Sequence, residues 1–273
     1  MDIKYMELPL VFFTVMSQWG IGAVFALTIY QMKASKENLL SGSVLRRVVL
    51  LIWLIEVVGS SMSMGHLGVP LEAYRSVLGL GHSWLSREAV TFVLLNGVVT
   101  LWALSCWLSP QVNVRNQLLG WLSAIGGVAA IFVTAQVYYQ MVAHPLWHTP
   151  ATQIAFIGSA IVLGFSLVSL LIIGQGKPVP SVIKIGVLIG VALVLGAQII
   201  RLQLLPVSQG GSYLLWWQVV VSMLLPCIVV MKGYKEKQPS AIVIALVMLL
   251  IFSGELAGRA LFYGSVMIQA PWF

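Results

Sequence analysis

The chain has 273 residues, of which 59% are hydrophobic and only 8% are charged, and its mean hydropathy is +0.97. This composition excludes a water-soluble enzyme or binding domain, because the apolar runs leave no polar segment long enough to enclose a second core. The net charge of +7 mostly reflects the loop positions of lysine and arginine, so it does not predict binding to nucleic acid. We expect a single membrane domain over residues 1–273.

Eight apolar segments have roughly the length of a membrane-spanning helix. They lack the alternation of barrel strands, and backbone polar groups in lipid need internal partners, so we predict that all eight are helices. The sequence therefore predicts an all-α, polytopic membrane protein with an eight-transmembrane-helix bundle. The predicted spans, in chain order, are 8–32, 44–66, 87–108, 118–141, 151–173, 182–205, 213–231 and 240–263.

Lysine and arginine residues are distributed unevenly between the two sides of these spans. Ten lie in the odd-numbered loops and five lie on the other side. Because cytoplasmic loops carry the excess of basic residues, we predict that the odd loops are cytoplasmic and that both termini are outside. The ten are Lys33, Lys36, Arg46, Arg47, Arg115, Lys177, Lys184, Lys232, Lys235 and Lys237, and the five are Lys4, Arg75, Arg87, Arg201 and Arg259.

The predicted outer ends of the helices are unusually polar. The second span ends at His66, and the third begins at Ser86, Arg87 and Glu88. Ionisable groups at membrane depth are costly, so each one raises a functional question. Glu255 and Arg259 in the last span are four residues apart, which allows them to pair on one helix face. They either form a structural ion pair or contribute to a site at the outer end.

The histidines argue against a haem. A membrane cytochrome of the b type needs pairs of axial histidines on facing helices, whereas all four histidines fall at predicted outer helix ends or in outer loops. We therefore expect neither haem nor another metal in this protein. The histidines are His66, His82, His144 and His148.

Several short motifs resemble one known family, the membrane anchor subunits of dimethyl sulfoxide reductases. The similarity extends over the whole sequence, including its length and its number of spans. The motifs are His66-Leu67-Gly68, Pro70 and Ala73; Ser83-Trp84-Leu85-Ser86-Arg87-Glu88; Gly254-Glu255, Gly258-Arg259 and Phe262-Tyr263; and the opening Glu7-Leu8-Pro9-Leu10 with Phe13-Thr14 and Gln18.

The resemblance implies an anchor in the bacterial inner (cytoplasmic) membrane that carries no haem and oxidises menaquinol. It also implies two partners, an iron–sulfur electron-transfer subunit and a catalytic subunit with a molybdenum cofactor. In this family the histidine after the second helix and the glutamate opening the third bind the quinol, and these match His66 and Glu88. The chemistry agrees, because quinol oxidation releases two protons, and an imidazole and a partly desolvated carboxylate are suitable acceptors.

Other residues are expected to shape the quinol pocket. Ser86, Glu255 and Arg259 contribute polar groups at the same end. Trp84 either flanks the quinone ring or belongs to the interfacial belt of tryptophans. Arg87 either lines the pocket or holds a membrane lipid headgroup or a partner subunit.

Two questions stay open from the sequence. Glu56 lies about ten residues, or roughly 15 Å of helix rise, from His66, and it is either a proton relay or a carboxyl group bonded to Gln18, Asn96 or another helix. The function also has alternatives, a secondary transporter or a purely structural anchor without quinol chemistry. Loss of His66 and Glu88 would be tolerated by the structural anchor.

Overall fold

The computed structural model describes residues 7–66, 74–76, 78–204, 212–236 and 240–267, and this part of the protein is helical without a β-strand. The predicted all-α fold is confirmed. The helices are α1 (Leu8–Lys33), α2 (Gly42–Ser61), α3 (Trp84–Leu108), α4 (Val114–Tyr139), α5 (Pro150–Ile173), α6 (Ser181–Leu202), α7 (Tyr213–Trp216), α8 (Leu225–Glu236) and α9 (Ala241–Met267). A π-helical segment, Trp217–Leu224, joins α7 to α8, and short 3₁₀ turns cover Lys36–Asn38 and Met62–His66.

Seven helices of the described residues are long and apolar enough to cross a membrane, so the predicted number of eight is not confirmed. The difference lies in the predicted span 213–231, where the apolar part of the helix, Tyr213–Val229, is shorter than the others. Its interior is π-helical up to Leu224, just before Pro226. Proline has no N–H to donate to the residue four positions earlier, so the normal α-helical bonding is interrupted there. Within the π-helical segment, the Ser222 hydroxyl donates to the Trp217 carbonyl at 3.1 Å.

Two helices form the centre of the bundle. In the most apolar part of α1 and of α5, 72% of the residues are buried, against 33% in α2 and in α3. The α1 and α5 backbones approach closely because Gly22 and Gly164 meet at the contact, where a Cβ atom would collide with the facing backbone. Small residues at such contacts are typical of membrane helices, which associate through close packing. The exposed leucines of α2 and α3 therefore face lipid.

Polar caps extend several helices beyond the predicted boundaries. α3 begins at Trp84 instead of 87, because the Ser83 side chain accepts a hydrogen bond from the Ser86 backbone N–H at 3.4 Å. α4 begins at Val114 instead of 118, because Asn113 caps the Asn116 N–H at 2.8 Å. Cap residues are polar, so a hydropathy window places the boundary too far inside the apolar run.

The helix ends that the sequence predicts to be outside lie together in the structure. Gly65, just before the end of the 3₁₀ turn, packs near Pro9 of α1. The Phe13 ring of α1 lies 5.0 Å from the Phe92 ring of α3, and the Tyr138 hydroxyl of α4 bonds to Tyr263 of α9 at 2.8 Å. We call this side of the bundle the His66 end, and the opposite side, where α2 begins, the Arg46 end.

Candidate functional site

The start of α3 carries four of the predicted site residues, and two of them are buried. Ser86 is 5% exposed and Glu88 is 6% exposed. Trp84 and Arg87 are only partly buried, and they contact each other, with the guanidinium carbon 4.5 Å from the centre of the indole ring. The four residues are therefore close together at one helix start but face different surroundings.

Arg87 is used mainly to hold the turn that leads into α3. Its Nε donates to the Leu80 carbonyl at 3.1 Å, and its Nη2 donates to the Gly81 carbonyl at 3.2 Å. Gly79 in the same turn lies so close to Ser86 that a Cβ atom there would be 2.6 Å from the Ser86 hydroxyl oxygen. Arg87 and Ser86 thus fix the backbone that presents Glu88.

Glu88 points into the bundle and has unused hydrogen-bonding capacity. The Thr134 hydroxyl of α4 interacts with its carboxyl group. The geometry falls short of a hydrogen bond, since among the described residues Glu88 Oε1 and Thr134 Oγ1 both lack a partner. A buried polar atom without a partner costs about 1–3 kcal/mol. Such a group in a native structure calls for an explanation, and a bound ligand is one.

An aromatic cluster lies close to Glu88, and only its Phe262-Tyr263 part belongs to a motif recognised in the sequence. Tyr138 lies one helical turn after Thr134 on α4, and its hydroxyl shares a hydrogen bond of 2.8 Å with that of Tyr263. Trp147 closes the cluster by donating its indole N–H to the Phe262 carbonyl at 2.8 Å. Its ring centre lies 5.3 Å from that of Tyr138. In the sequence Tyr138 and Trp147 look like ordinary interfacial aromatics, so for these two only the distribution of aromatics near helix ends gave a signal.

Arg259 of α9 is buried, with 4% exposure, in a pocket made by α1 and α5. Its Nη2 donates to Gln18 Oε1 at 2.8 Å and to the Ser159 hydroxyl at 3.4 Å. Its guanidinium carbon lies 3.7 Å from the centre of the Phe156 ring. A buried guanidinium is stabilised by such hydrogen bonds and by the cation–π contact.

Glu255 is equally buried, with 2% exposure, but both of its oxygens have partners. Ser159 donates to Oε2, and Gln218 Nε2 donates to Oε1 at 3.2 Å. Gln198 of α6 in turn donates to Gln218 Oε1 at 2.6 Å. The carboxylate is therefore held by a network that ties α5, α6, the π-helical segment and α9 together.

The predicted pairing of Glu255 with Arg259 takes an indirect form. The Ser159 hydroxyl accepts from Arg259 and donates to Glu255, so it connects the two charged groups. The motif glycines make room for this arrangement, because a Cβ atom at Gly254 would overlap Ser222 and one at Gly258 would overlap Gln218. Ser159 and Gln218 could not be assigned from the sequence, since the network depends on which helices are neighbours.

Arg201 ends α6 beside this network and is 8% exposed. Its guanidinium carbon lies 4.9 Å from the centre of the Phe262 ring. Its Nε and Nη2 atoms are buried without a hydrogen-bond partner in the described part of the protein. Like Glu88, Arg201 thus has hydrogen-bonding capacity at the His66 end that the described residues do not use.

His66 is described only by its backbone, which ends the 3₁₀ turn Met62–His66. Its imidazole and the following residues 67–73 lie outside the described part of the structure. The turn places Gly65, the residue before His66, near Pro9 at the start of α1. Whether the imidazole meets Glu88 therefore stays a prediction.

Glu56 differs from the other buried carboxyl groups. It is fully buried at the contact with Gly20 of α1, and neither of its oxygens has a hydrogen-bond partner among the described residues. The two partners named from the sequence do not bond to it: Asn96 donates to Ser60 at 3.0 Å, and Gln18 accepts from Arg259 through Oε1 while its Nε2 has no partner among the described residues. A carboxyl group bonded to Gln18 or Asn96 is thus not what the structure shows.

Metal ligands do not converge in the described residues, where no group of three or more His, Cys, Asp or Glu side chains is placed to hold an ion. The expected lack of haem and metal stays a prediction for the protein as a whole.

Comparison with known proteins identifies the family. The family model described as DMSO reductase anchor subunit (DmsC) matches residues 1–265. The chain belongs to this family. It is accordingly a multi-pass membrane anchor of a reductase complex, which implies catalytic and electron-transfer partner subunits. This result favours the anchor interpretation over a secondary transporter.

Curated relatives support the assignment to the anchor family. The protein is 29% identical to the YnfH component of an anaerobic dimethyl sulfoxide reductase of Escherichia coli (strain K12), over 94% of both sequences. It is 27% identical to the C component of the anaerobic dimethyl sulfoxide reductase of the same organism, again over 94% of both. A shorter similarity, 32% over 42% of this sequence and 38% of the relative, links it to the C component of the sulfite dehydrogenase of Allochromatium vinosum. No solved structure matches this protein.

Proposed function

We propose that this anchor oxidises menaquinol at the His66 end and passes the electrons to an iron–sulfur subunit, which supplies a molybdenum-containing catalytic subunit. The observation that carries the proposal is the Glu88 carboxyl group, which is buried at the start of α3 and keeps Oε1 without a hydrogen bond among the described residues. A hydroxyl group of a quinol is a donor that suits this oxygen. The family match supplies the setting, a membrane anchor of a reductase complex.

The reaction needs two proton acceptors and one electron acceptor. Menaquinol loses two electrons and two protons and becomes menaquinone. We assign one proton to the Glu88 carboxylate and the other to the His66 imidazole, since both residue types serve as general bases. The electrons leave to the iron–sulfur partner, because we propose neither haem nor metal in this protein.

The surrounding residues define the shape of the proposed pocket. Trp84 packs against Phe132 of α4, with ring centres 6.5 Å apart, and the Arg87 guanidinium lies over the Trp84 ring. Glu255 and Arg259 support the pocket indirectly, because their hydrogen bonds to Ser159 hold α5 against α9. We propose that these residues shape the pocket, whereas His66 and Glu88 carry out the chemistry.

The proposed sidedness places the His66 end outside the bacterial inner membrane, with both termini on that side and eight crossings in total. The support is the excess of ten basic residues over five at the opposite side. Reporter fusions after Lys36 and Lys235 should report the cytoplasm, and fusions between His144 and Pro150 should report the outside. The reverse pattern would overturn the sidedness.

If the His66 end is outside, the iron–sulfur partner should crosslink to the loop between His66 and Glu88. Crosslinks mainly to residues 33–47 would contradict this.

The test of the chemistry is a double variant, His66→Ala with Glu88→Gln, in the intact complex. Quinol-driven reduction of the terminal acceptor should nearly disappear, since loss of a general base costs about 10²- to 10⁴-fold in rate. Reduction driven by a dye that donates directly to the partner subunits should persist, which separates lost chemistry from lost folding. A double variant that keeps more than half of the quinol-driven rate would favour a purely structural anchor.

A further inference from the structure

A groove at the Arg46 end lies between α2 and α3, on the lipid-facing side of the bundle. It has a volume of about 140 Å³. Its walls are mostly apolar, with a single arginine at the rim. The lining residues are Arg46, Leu50, Trp53, Thr100, Ala103, Leu104 and Trp107.

Two hydrogen bonds between the helices frame this groove. At the rim, Arg46 Nε donates to the Trp107 carbonyl at 2.8 Å. Deeper in the bundle, the Trp53 indole N–H donates to the Thr100 hydroxyl at 2.9 Å. Arg46 and Trp53 are seven residues apart, so the groove extends about 10 Å along the helix axis. The Trp53 indole N–H and the Thr100 hydroxyl on its floor are thus bonded to each other, and the remaining surface suits a hydrocarbon tail.

The rim of the groove is positively charged. Arg46, Arg47 and Arg115 are all exposed at this end, where Glu37 is the acidic residue among the side chains that the structure describes. The bond to Trp107 uses one of the five N–H donors of the Arg46 guanidinium. It also fixes the guanidinium at the mouth, where a phosphate group is a suitable partner for the remaining donors.

We propose that this groove is a binding site for an anionic phospholipid. One acyl tail lies against Leu50, Trp53 and Leu104, and the phosphate binds Arg46. The net negative charge of the headgroup is favoured by Arg47 and Arg115, since each basic residue near the surface contributes about 1 kcal/mol. The lipid thereby fills the gap between α2 and α3 at this level.

This site is separate from the proposed quinol site. Arg46 and His66 are twenty residues apart along α2 and the 3₁₀ turn that follows, which corresponds to about 30 Å. The groove also offers no unpaired buried acceptor of the kind found at Glu88, because the Thr100 hydroxyl is bonded to Trp53. A headgroup outside the apolar wall is therefore a better occupant than a quinone ring.

The test is native mass spectrometry of the intact complex, delipidated and then supplied with phosphatidylglycerol or phosphatidylcholine. The wild type should retain phosphatidylglycerol in preference. Arg46→Gln should weaken that binding at least about fivefold, the equivalent of about 1 kcal/mol. Lys36→Gln removes one charge at the same end without altering the groove, and it should have little effect.

A second pair of variants tests the groove itself and does not depend on charge. Ala103→Trp fills the groove and should abolish retention of the lipid, whereas Leu101→Trp on the exposed face of the same helix should not. Dye-driven activity that copurifies with the anchor reports that each variant complex has assembled. Equal retention of both lipids, equal loss in Arg46→Gln and Lys36→Gln, or release of menaquinone instead of lipid by Ala103→Trp would each overturn the proposal.

Discussion

Glu88 and Glu255 are both buried carboxyl groups at the His66 end, but their surroundings differ. Glu255 accepts hydrogen bonds from Ser159 and Gln218, so both of its oxygens are satisfied by the protein. Glu88 keeps Oε1 unbonded among the described residues. A satisfied buried group stabilises and specifies a fold, whereas an unsatisfied one is costly unless something else binds it.

The hydrogen bonds of a buried ionisable residue inside a membrane indicate whether its role is structural. Both carboxyls lie in motifs that resemble the anchor family. From the sequence, Glu88 was expected to bind the quinol, and Glu255 either to pair with Arg259 or to help shape the pocket. The structure assigns Glu255 to a network that joins neighbouring helices, which is a structural task. It leaves Glu88 Oε1 without a hydrogen bond among the described residues, as the proposed role in quinol binding requires.

The largest effect is expected for Glu88→Gln. Glutamine keeps the shape but cannot accept a proton, so the quinol-driven rate should fall about 10²- to 10⁴-fold. Because the described residues make no hydrogen bond to Oε1, the stability of the complex should change little. Steady-state rates with quinol and with the dye, and a thermal unfolding curve, measure both quantities. Unfolding at a clearly lower temperature would show that Glu88 is structural after all.

Glu255→Ala should behave in the opposite way. The substitution leaves Arg259 buried near an empty space and removes the hydrogen-bond acceptor of Ser159 and Gln218. Breaking a buried charged pair costs about 3–5 kcal/mol of stability. We expect poor assembly and easier unfolding of the complex. The matched control is Glu255→Gln, which keeps the volume and an acceptor oxygen and should recover part of the stability. Normal assembly of the alanine variant would contradict the structural role.

Tyr138→Phe tests whether the Tyr138–Tyr263 pair supports the site around Glu88. It removes the hydrogen bond to Tyr263, which is worth about 0.5–1.5 kcal/mol. Tyr139→Phe is the neighbouring control, because the contact of Tyr139 with His148 is a ring stack that phenylalanine retains. Denaturant unfolding of the two variants should differ by that amount. Equal stabilities would mean that the tyrosine pair does not support the site.

The smallest effect is expected for Glu56→Gln. Neither oxygen of Glu56 makes a hydrogen bond in the described structure, and glutamine fits the tight contact with Gly20 equally well, so we expect a stability change below about 1 kcal/mol. The quinol-driven rate should stay near that of the wild type. A fall as large as that of Glu88→Gln would instead make Glu56 a proton relay.

Much of the fold was predictable because hydropathy alone marks apolar helices. The predicted spans 8–32 and 151–173 differ by one residue at one end from α1 and α5. The span 213–231 was harder, since its average hydropathy does not reveal the π-helical interior before Pro226. The polar motif Ser86 to Glu88 at the start of α3 could also be recognised in the sequence. The partners of Glu255 were not, because Ser159 and Gln218 lie 96 and 37 residues away in sequence.

Infrared difference spectroscopy of the intact complex tests most directly whether Glu88 accepts a proton from the quinol. The spectra are recorded during menaquinone reduction and reoxidation. A carboxyl band that changes with the redox state should vanish in Glu88→Gln. The same band should remain in Glu255→Gln and in Glu56→Gln, where the carboxyl groups do not meet the quinol. A band that survives in Glu88→Gln, or that disappears in Glu255→Gln instead, would contradict the assignment.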